Sequence, residues 1–162
     1  MHIMATLTTA RTSNQRGQAV IELALTLPLL LVVVFGIIDF GFMFQRYEAV
    51  TNAAREGARL GVLADYTATE AQNRALDYLV ASGLNGPIRA CGTGAVVRNS
   101  RCAQMTTSTV PVAGSTPAKT VDQVTVIVEY DHQYQFVGPI LGLFGSNLSS
   151  IRLRSASSMR RE

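Results

Sequence analysis

One segment near the N-terminus limits what this chain can fold into, because it is long and apolar enough to cross a lipid bilayer. Between Ala19 and Phe44 only Glu22 and Asp39 carry a charge. A bilayer core about 30 Å thick needs roughly 20 consecutive, mostly apolar helical residues. Backbone groups in lipid must find their hydrogen bonds within the segment itself, so we predict a transmembrane helix over residues 18–44.

The charges that precede this segment predict its orientation. Arg11 and Arg16 are the only charged side chains before Glu22, and basic residues next to a span favour the cytoplasmic side. We therefore expect a cytoplasmic leader over residues 1–17 and an extracytoplasmic domain over residues 45–162, which is enough chain for one small domain. An ordinary secretory signal peptide fits less well, because no small-residue cleavage site follows the apolar region.

The spacing between Gly17 and Glu22 is the most specific feature of the sequence. Gly17 follows a basic leader and precedes the apolar run, and Glu22 comes five residues later. This arrangement resembles the processing site of type IV prepilins, in which the fifth mature residue is a glutamate. The wider strings RGQAVIELALTLPLLLVVVFGIIDFG and NAAREGARLG, within residues 16–61, resemble the TadE-like family, the pseudopilins of the tight-adherence (Tad/Flp) pilus system. Position alone leaves a second interpretation open, in which Glu22 lies at the headgroup level of the membrane.

The resemblance implies a function and a set of partners. A prepilin peptidase would cut between Gly17 and Gln18, and Glu22 would neutralise the amino terminus of a neighbouring subunit during assembly. The partners implied are the peptidase, other pilin and pseudopilin subunits, membrane lipid and, indirectly, the assembly platform with its cytoplasmic ATPase. Major pilins usually begin with Phe or Met, so a mature chain that begins with Gln18 suits a minor pseudopilin better.

Beyond the membrane segment the helix is predicted to continue through residues 45–64 and to end near Asp65. Small residues recur at every fourth position of this stretch and share one helix face: Ala49, Ala53, Gly57 and Gly61. A face of small residues lets another backbone approach closely. The sequence leaves two alternatives open: the face packs against the chain's own sheet, or it packs against helices of neighbouring subunits.

The rest of the chain predicts a second helix and a sheet. Residues 69–82 have an amphipathic helical pattern that Thr67 or Thr69 can cap, and Gly83 can stop it. Alternating β-branched residues predict a strand over residues 121–136. Weaker strand candidates span residues 94–99, 105–117 and 148–159, and residues 138–150 form an apolar, glycine-rich connection that either packs under the sheet or is exposed. The predicted fold is therefore α+β: a long N-terminal helix, a shorter one and a small antiparallel sheet, arranged as a pilin-like roll.

The two cysteines, Cys91 and Cys102, are predicted to form a structural disulfide if the domain is exported. Disulfides persist in oxidising compartments outside the cytoplasm. The closed loop would contain 12 residues, which the loop-closure estimate values at a little under about 3 kcal/mol. Their spacing does not match a redox or metal-binding pair.

We find no catalytic or metal-binding motif in the sequence and predict no cofactor. Asp131 and His132 are adjacent on a predicted strand, so they should face opposite sides of the sheet, and we predict His132 to be an ordinary surface residue. Asp39 is expected at the outer membrane interface or paired with a basic group. Basic and acidic side chains past Gly17 nearly balance, 12 against 11, which gives no support for nucleic-acid binding. A permanently anchored binding protein or adhesin and an anchored enzyme are the competing function classes.

Overall fold

The computed structural model describes residues 14–84, 95–98, 101–115, 117, 119–143, 145 and 150–161. In chain order its elements are α1 (Asn14–Gly61), α2 (Ala68–Ala81), β1 (Val96–Arg98), β2 (Arg101–Pro111), β3 (Thr120–Gln133), α3 (Val137–Leu143) and β4 (Ser150–Arg161). The predicted turn at Asn85 to Pro87 lies outside the described residues, and so does Cys91. Cys102 is buried at the start of β2, and its pairing with Cys91 stays a prediction.

The first helix, α1, is one continuous element of 48 residues with Pro28 inside it. At 1.5 Å per residue it is about 70 Å long. It ends at Gly61, a few residues before the predicted end at Ala64. The amide of Leu63 bonds the carbonyl of Leu60, a tighter turn that stops the α-helical ladder and leads the chain towards α2.

The second helix, α2, begins where its capping chemistry places it. The Thr67 hydroxyl accepts a hydrogen bond from the Glu70 amide, and the Glu70 carboxylate accepts one from the Thr67 amide. This capping box satisfies two amides that the first helical turn leaves open. Gly83 follows with a φ of 73°, the left-handed conformation that commonly ends helices. The helical spacing predicts an apolar face of Ala71, Ala75, Leu76, Leu79 and Val80, and all of these are buried except Val80, which is 47% exposed, while Gln72 is also buried.

The strands form one antiparallel meander in the order β1-β2-β3-β4. On β3, alternate side chains point inward and are buried: Val124, Val126, Val128 and Tyr130. Successive strand residues face opposite sides of a sheet, so this confirms the alternation read from the sequence. The last strand, β4, pairs with β3 over its whole length, from Ser150 opposite Gln133 to Arg161 opposite Asp122.

The helices α1 and α2 pack on the inner face of the sheet, which gives the domain two layers. The outer half of α1 contacts α2, β3 and β4, and α2 also contacts β2. The core between the layers contains the inward β3 valines together with small residues of α1 and leucines of α2. Helices gathered on one face of an antiparallel sheet define an α+β fold, which confirms the predicted class.

The connection between β3 and β4 contains a short helix, α3, that the sequence analysis did not predict. Pro139 lies in its first turn, where a missing amide costs no helical hydrogen bond. Leu143, at its end, is 86% exposed. The predicted apolar connection is thus partly helical, and it presents a large apolar side chain to the outside.

Candidate functional site: an exposed apolar helix and the collar that holds it

The first half of α1 is exposed along its entire length. From Gly17 to Val34 every side chain is classed as exposed, including Leu25 at 75% and Leu29 at 69%. Monomeric soluble proteins rarely present so large an apolar surface to water. Over its most apolar window the helix has a mean hydropathy of 2.6 and is long enough to cross a membrane. It therefore fits a membrane anchor.

The residues predicted for cleavage and assembly lie on this exposed half. Gly17 and Gln18 are exposed near the start of α1, and nothing lies within 4 Å of a Cβ built at Gly17. Glu22 is also exposed, and its carboxylate makes no hydrogen bond or ion pair with the part of the chain that the structure describes. Its carbonyl accepts a bond of 2.9 Å from the Thr26 hydroxyl, which satisfies that hydroxyl within an apolar stretch.

The predicted small-residue face lies mostly inside the chain's own domain. A Cβ built at Gly57 would be 2.9 Å from the Ala75 Cβ, and one at Gly61 would be 3.0 Å from Val124 Cγ1. Ala53 is completely buried, whereas Ala49 is only partly buried. From Ala53 onward this face is therefore occupied by α2 and the sheet, as in the first of the two alternatives.

The two halves of α1 meet at a segment that we call the collar, residues 134–143. Asp39 of α1 is 1% exposed, and its Oδ1 accepts a hydrogen bond of 3.1 Å from the Gln135 amide. Its Oδ2 accepts bonds of 3.0 Å from Phe136 and 2.7 Å from Val137. Backbone amides of the same chain thus take the place of the basic partner that we had considered for Asp39, and such charge-assisted bonds are strong.

Ring contacts add to the attachment between the collar and α1. The Phe35 and Phe136 rings stack with their centroids 5.1 Å apart. The Tyr134 hydroxyl lies 3.8 Å from the sulfur of Met43 and donates to it. The collar therefore contacts α1 between Phe35 and Met43, ahead of the residues of α1 that pack against the sheet.

His132 is buried next to the collar, so its prediction as a surface residue was wrong. It is completely buried at the end of β3, and its Nδ1 lies 2.8 Å from Nη1 of Arg46. A guanidinium can only donate, so Nδ1 is the acceptor and the proton lies on Nε2, which has no partner among the described residues. Burial lowers the pKa of His132, the charge of Arg46 lowers it further and Asp39 opposes the shift.

The sequence did contain a signal for the burial of His132. The inward positions of β3 are the even-numbered ones from Val124 to Tyr130, and His132 continues that series. Asp131 points to the other face and lies 3.3 Å from Nε of Arg152, as the predicted opposite orientation requires. The prediction of His132 as a surface residue did not extend the buried series from Tyr130 to the next inward position.

Several other charges among the described residues of the domain form ion pairs with one another. Glu129 binds Arg152 and Arg154 on the outer sheet face. Glu56 binds Arg59 and Arg74. The hydrogen bond from Arg59 is the largest cause of the lowered pKa of Glu56, and the hydrogen bond from Arg74 lowers it further. Among the described residues no group of three or more His, Cys, Asp or Glu side chains could hold a metal ion.

These features define a class of protein: a small α+β domain carried on an apolar helix that fits a membrane anchor. The family model described as TadE-like protein matches residues 17–59, about a quarter of the chain. The match confirms the predicted resemblance and suggests a pilin-like protein associated with a Tad pilus. No curated protein and no solved structure matches the chain.

Proposed function

We propose that this protein is a minor pilin or pseudopilin of a Tad (Flp) pilus. In this proposal a prepilin peptidase removes residues 1–17, residues 18–44 cross the cytoplasmic membrane with the amino terminus inside, and the domain lies outside. The subunit then takes part in pilus assembly, adhesion or surface colonisation. The observation that carries the proposal is the uncovered apolar helix with Glu22 five residues after Gly17, within the stretch that the family model matches.

The exposed helix suits assembly with other helices. Its apolar side chains from Gly17 to Val34 have no partner in the described chain, so neighbouring helices could bury them without rearranging the domain. The collar and the sheet hold α1 only from Phe35 onward, which leaves the first half free to enter a bundle. The domain would then act as a rigid head on a helix that is shared with other subunits.

The chemistry of Glu22 supports its assembly role. Cleavage before Gln18 would create an ammonium group at the start of the helix, and a carboxylate of a neighbouring subunit can pair with it. In a medium of low dielectric such a pair attracts far more strongly than in water, and pairing offsets the cost of burying each charge. Because the Glu22 carboxylate is exposed and makes no contact among the described residues, it is available for that partner.

The first test is the intact mass and amino-terminal sequence of the protein from native membranes. We expect the chain to begin at Gln18, and Gly17→Ala to leave it uncut. A Cβ at Gly17 meets nothing within 4 Å, so a processing defect would come from recognition by the peptidase. Gly41→Ala, another open position on α1, is the matched control and should be processed normally. A wild-type chain that retains its leader would contradict the proposal and favour a permanently anchored binding protein or adhesin.

The second test separates processing from assembly. Glu22→Ala should be cut normally but absent from sheared pili, whereas Glu48→Ala, which removes another exposed acid of α1, should assemble. Immunoblots of membrane and pilus fractions measure both steps. Normal piliation of the Glu22→Ala strain would contradict the assembly role and leave only the anchor.

A further inference from the structure

The collar is an uncharged, apolar element fixed to the side of the membrane-length helix. Its residues 134–143, YQFVGPILGL, contain no charged side chain. Leu143 is 86% exposed and Phe136 is 38% exposed. At the same height on α1, Ile37 and Phe40 are 68% and 54% exposed. Phe40 lines a pocket together with Val137 and Leu141 of the collar, so the apolar surface of the helix continues onto the collar.

The height of the collar along α1 follows from its contacts. Asp39 holds the start of α3 through three hydrogen bonds of 2.7–3.1 Å. If the hydrocarbon part of the proposed membrane segment begins at Ala19, a bilayer core about 30 Å thick is crossed in roughly 20 residues and ends at Ile38, and residues 39–44 continue through the outer headgroup region. The collar then lies where the acyl chains meet the headgroups of the outer leaflet.

Raising the collar clear of the membrane would leave the helix too short. The span would have to end at Val34, and residues 19–34 rise only about 24 Å at 1.5 Å per residue. It would also leave Ile37 and Phe40, both more than half exposed, in water. A span that ends later than Ile38 moves the collar deeper into lipid.

We propose that the collar is a second membrane-binding element, which lies in the outer headgroup–acyl boundary and sets the depth of the anchor. This inference rests on the proposed function, because it requires α1 to be inserted. Leu143 and Phe136 would point into the acyl region, and Asp39 would enter the interface with its oxygens already bonded to amides. Because the collar carries no charge, a neutral phospholipid surface is sufficient as its ligand, and anionic lipid should add little.

The chain contains no tryptophan, so a single introduced Trp reports its own surroundings. We would place the full-length protein in phosphatidylcholine liposomes, with and without bromine atoms along the whole length of the acyl chains, as the variants Leu30→Trp, Leu143→Trp and Leu63→Trp. Each replaced side chain is at least 49% exposed, so the fold should tolerate the change. Leu63 lies just beyond the C-terminal end of α1, about 30 Å from Asp39 along the helix axis and on the side away from the proposed membrane. We expect bromolipid to remove most of the fluorescence of the first two variants and to leave the third unchanged.

The outcomes separate the two proposals. Quenching of Leu30→Trp without quenching of Leu143→Trp would overturn the collar inference while the anchor stands, and would assign Leu143 to a protein contact instead. Absence of quenching at Leu30→Trp would contradict the anchor of the proposed function, and the collar inference with it. Quenching of Leu143→Trp that appears only after phosphatidylglycerol is added would also overturn the uncharged binding mode.

Discussion

The two halves of α1 differ in what covers them, although one unbroken helix forms both. From Gly17 to Val34 every side chain is exposed, whereas Val50, Ala54 and Ala58 of the outer half are completely buried. The outer half also carries charges such as Arg55 on the side away from the domain, while Glu22 is the only charged residue from Gly17 to Val34. A helix with its partner in the same chain needs only one apolar face, but a helix surrounded by lipid or other helices is apolar all round.

Glycines in the two halves have different reasons to be there. In the outer half Gly57 lets α2 and β3 approach, because a Cβ there would lie 2.9 Å from Ala75 and 3.1 Å from Val126. In the first half Gly17 has no atom within 4 Å of such a Cβ, and neither have Gly36 and Gly41 at the border of the two halves. Contacts of the folded subunit explain the first kind of glycine and give no explanation for the second.

The largest expected effect comes from removing Asp39, which lies at the border between the two halves. Asp39→Ala removes the shared acceptor of the amides of Gln135, Phe136 and Val137, and a hydrogen bond to a charged group contributes about 1.5–3 kcal/mol. We expect the free energy of unfolding in detergent to fall by at least about 3 kcal/mol, and these three amides to exchange hydrogen faster. Glu48→Ala, at an exposed acid on the same helix, should change neither. Unchanged exchange at residues 135–137 in Asp39→Ala would contradict the role of Asp39 in holding the collar.

A smaller effect on thermal stability should distinguish substitution of Gly57 from substitution of Gly41. Gly57→Ala places a methyl group against Ala75 and the Ala71 carbonyl, and overpacking of this kind costs about 1–3 kcal/mol. For a domain of this size each kcal/mol lowers the melting temperature by about 4–8 °C. Gly41→Ala, at an open position, should cause no loss, because alanine favours helix more than glycine does. Thermal unfolding of both variants in the same detergent measures the difference, and equal losses would remove the distinction between the halves.

Local patterns in the sequence were enough to predict α1, the capped start of α2 and the buried face of β3. Each of these elements is determined by residues close together in the chain: an uninterrupted apolar run, the Thr67–Glu70 pair and alternation from Val124 to Tyr130. The collar could not be predicted in this way. The start of its helix α3 depends on hydrogen bonds that backbone amides donate to Asp39, which lies 98 positions before Val137, and no local pattern reports so distant an acceptor.

Only those residues of the candidate site that belong to a sequence motif were predicted. Gly17 and Glu22 are recognisable from their spacing, and the family model matches the same stretch. The burial of His132, which we predicted to be a surface residue, could have been inferred from strand alternation. The identity of its partner could not, because Arg46 lies 86 positions earlier on a different element. Contacts between the outer half of α1 and the sheet appear only when the chain is folded.

The smallest effect we predict is a dependence of stability on pH that originates at His132. The groups facing its ring are Arg46 and Asp39 of α1 and Tyr134 of the collar. Its folded pKa lies below the ordinary value of 6.5, so the unfolded chain binds a proton first as the pH falls. The stabilisation is therefore complete above about pH 6.5 and declines below it, by at most about 1.4 kcal/mol per pH unit, until the folded pKa is reached.

His132→Asn tests this assignment, because an asparagine carbonyl can still accept from Arg46 but does not titrate. We expect the free energy of unfolding of the wild-type chain to fall between pH 7.5 and 5, and this fall to be reduced in His132→Asn. His2, the other histidine, is present in both proteins and so cancels in the comparison. Equal slopes would mean that acid sensitivity comes from carboxylates elsewhere in the domain. A weaker pH dependence of the free energy of unfolding in His132→Asn would assign the acid sensitivity to His132, where the outer half of α1 meets the collar. It would also show that this contact requires a neutral ring beside Arg46.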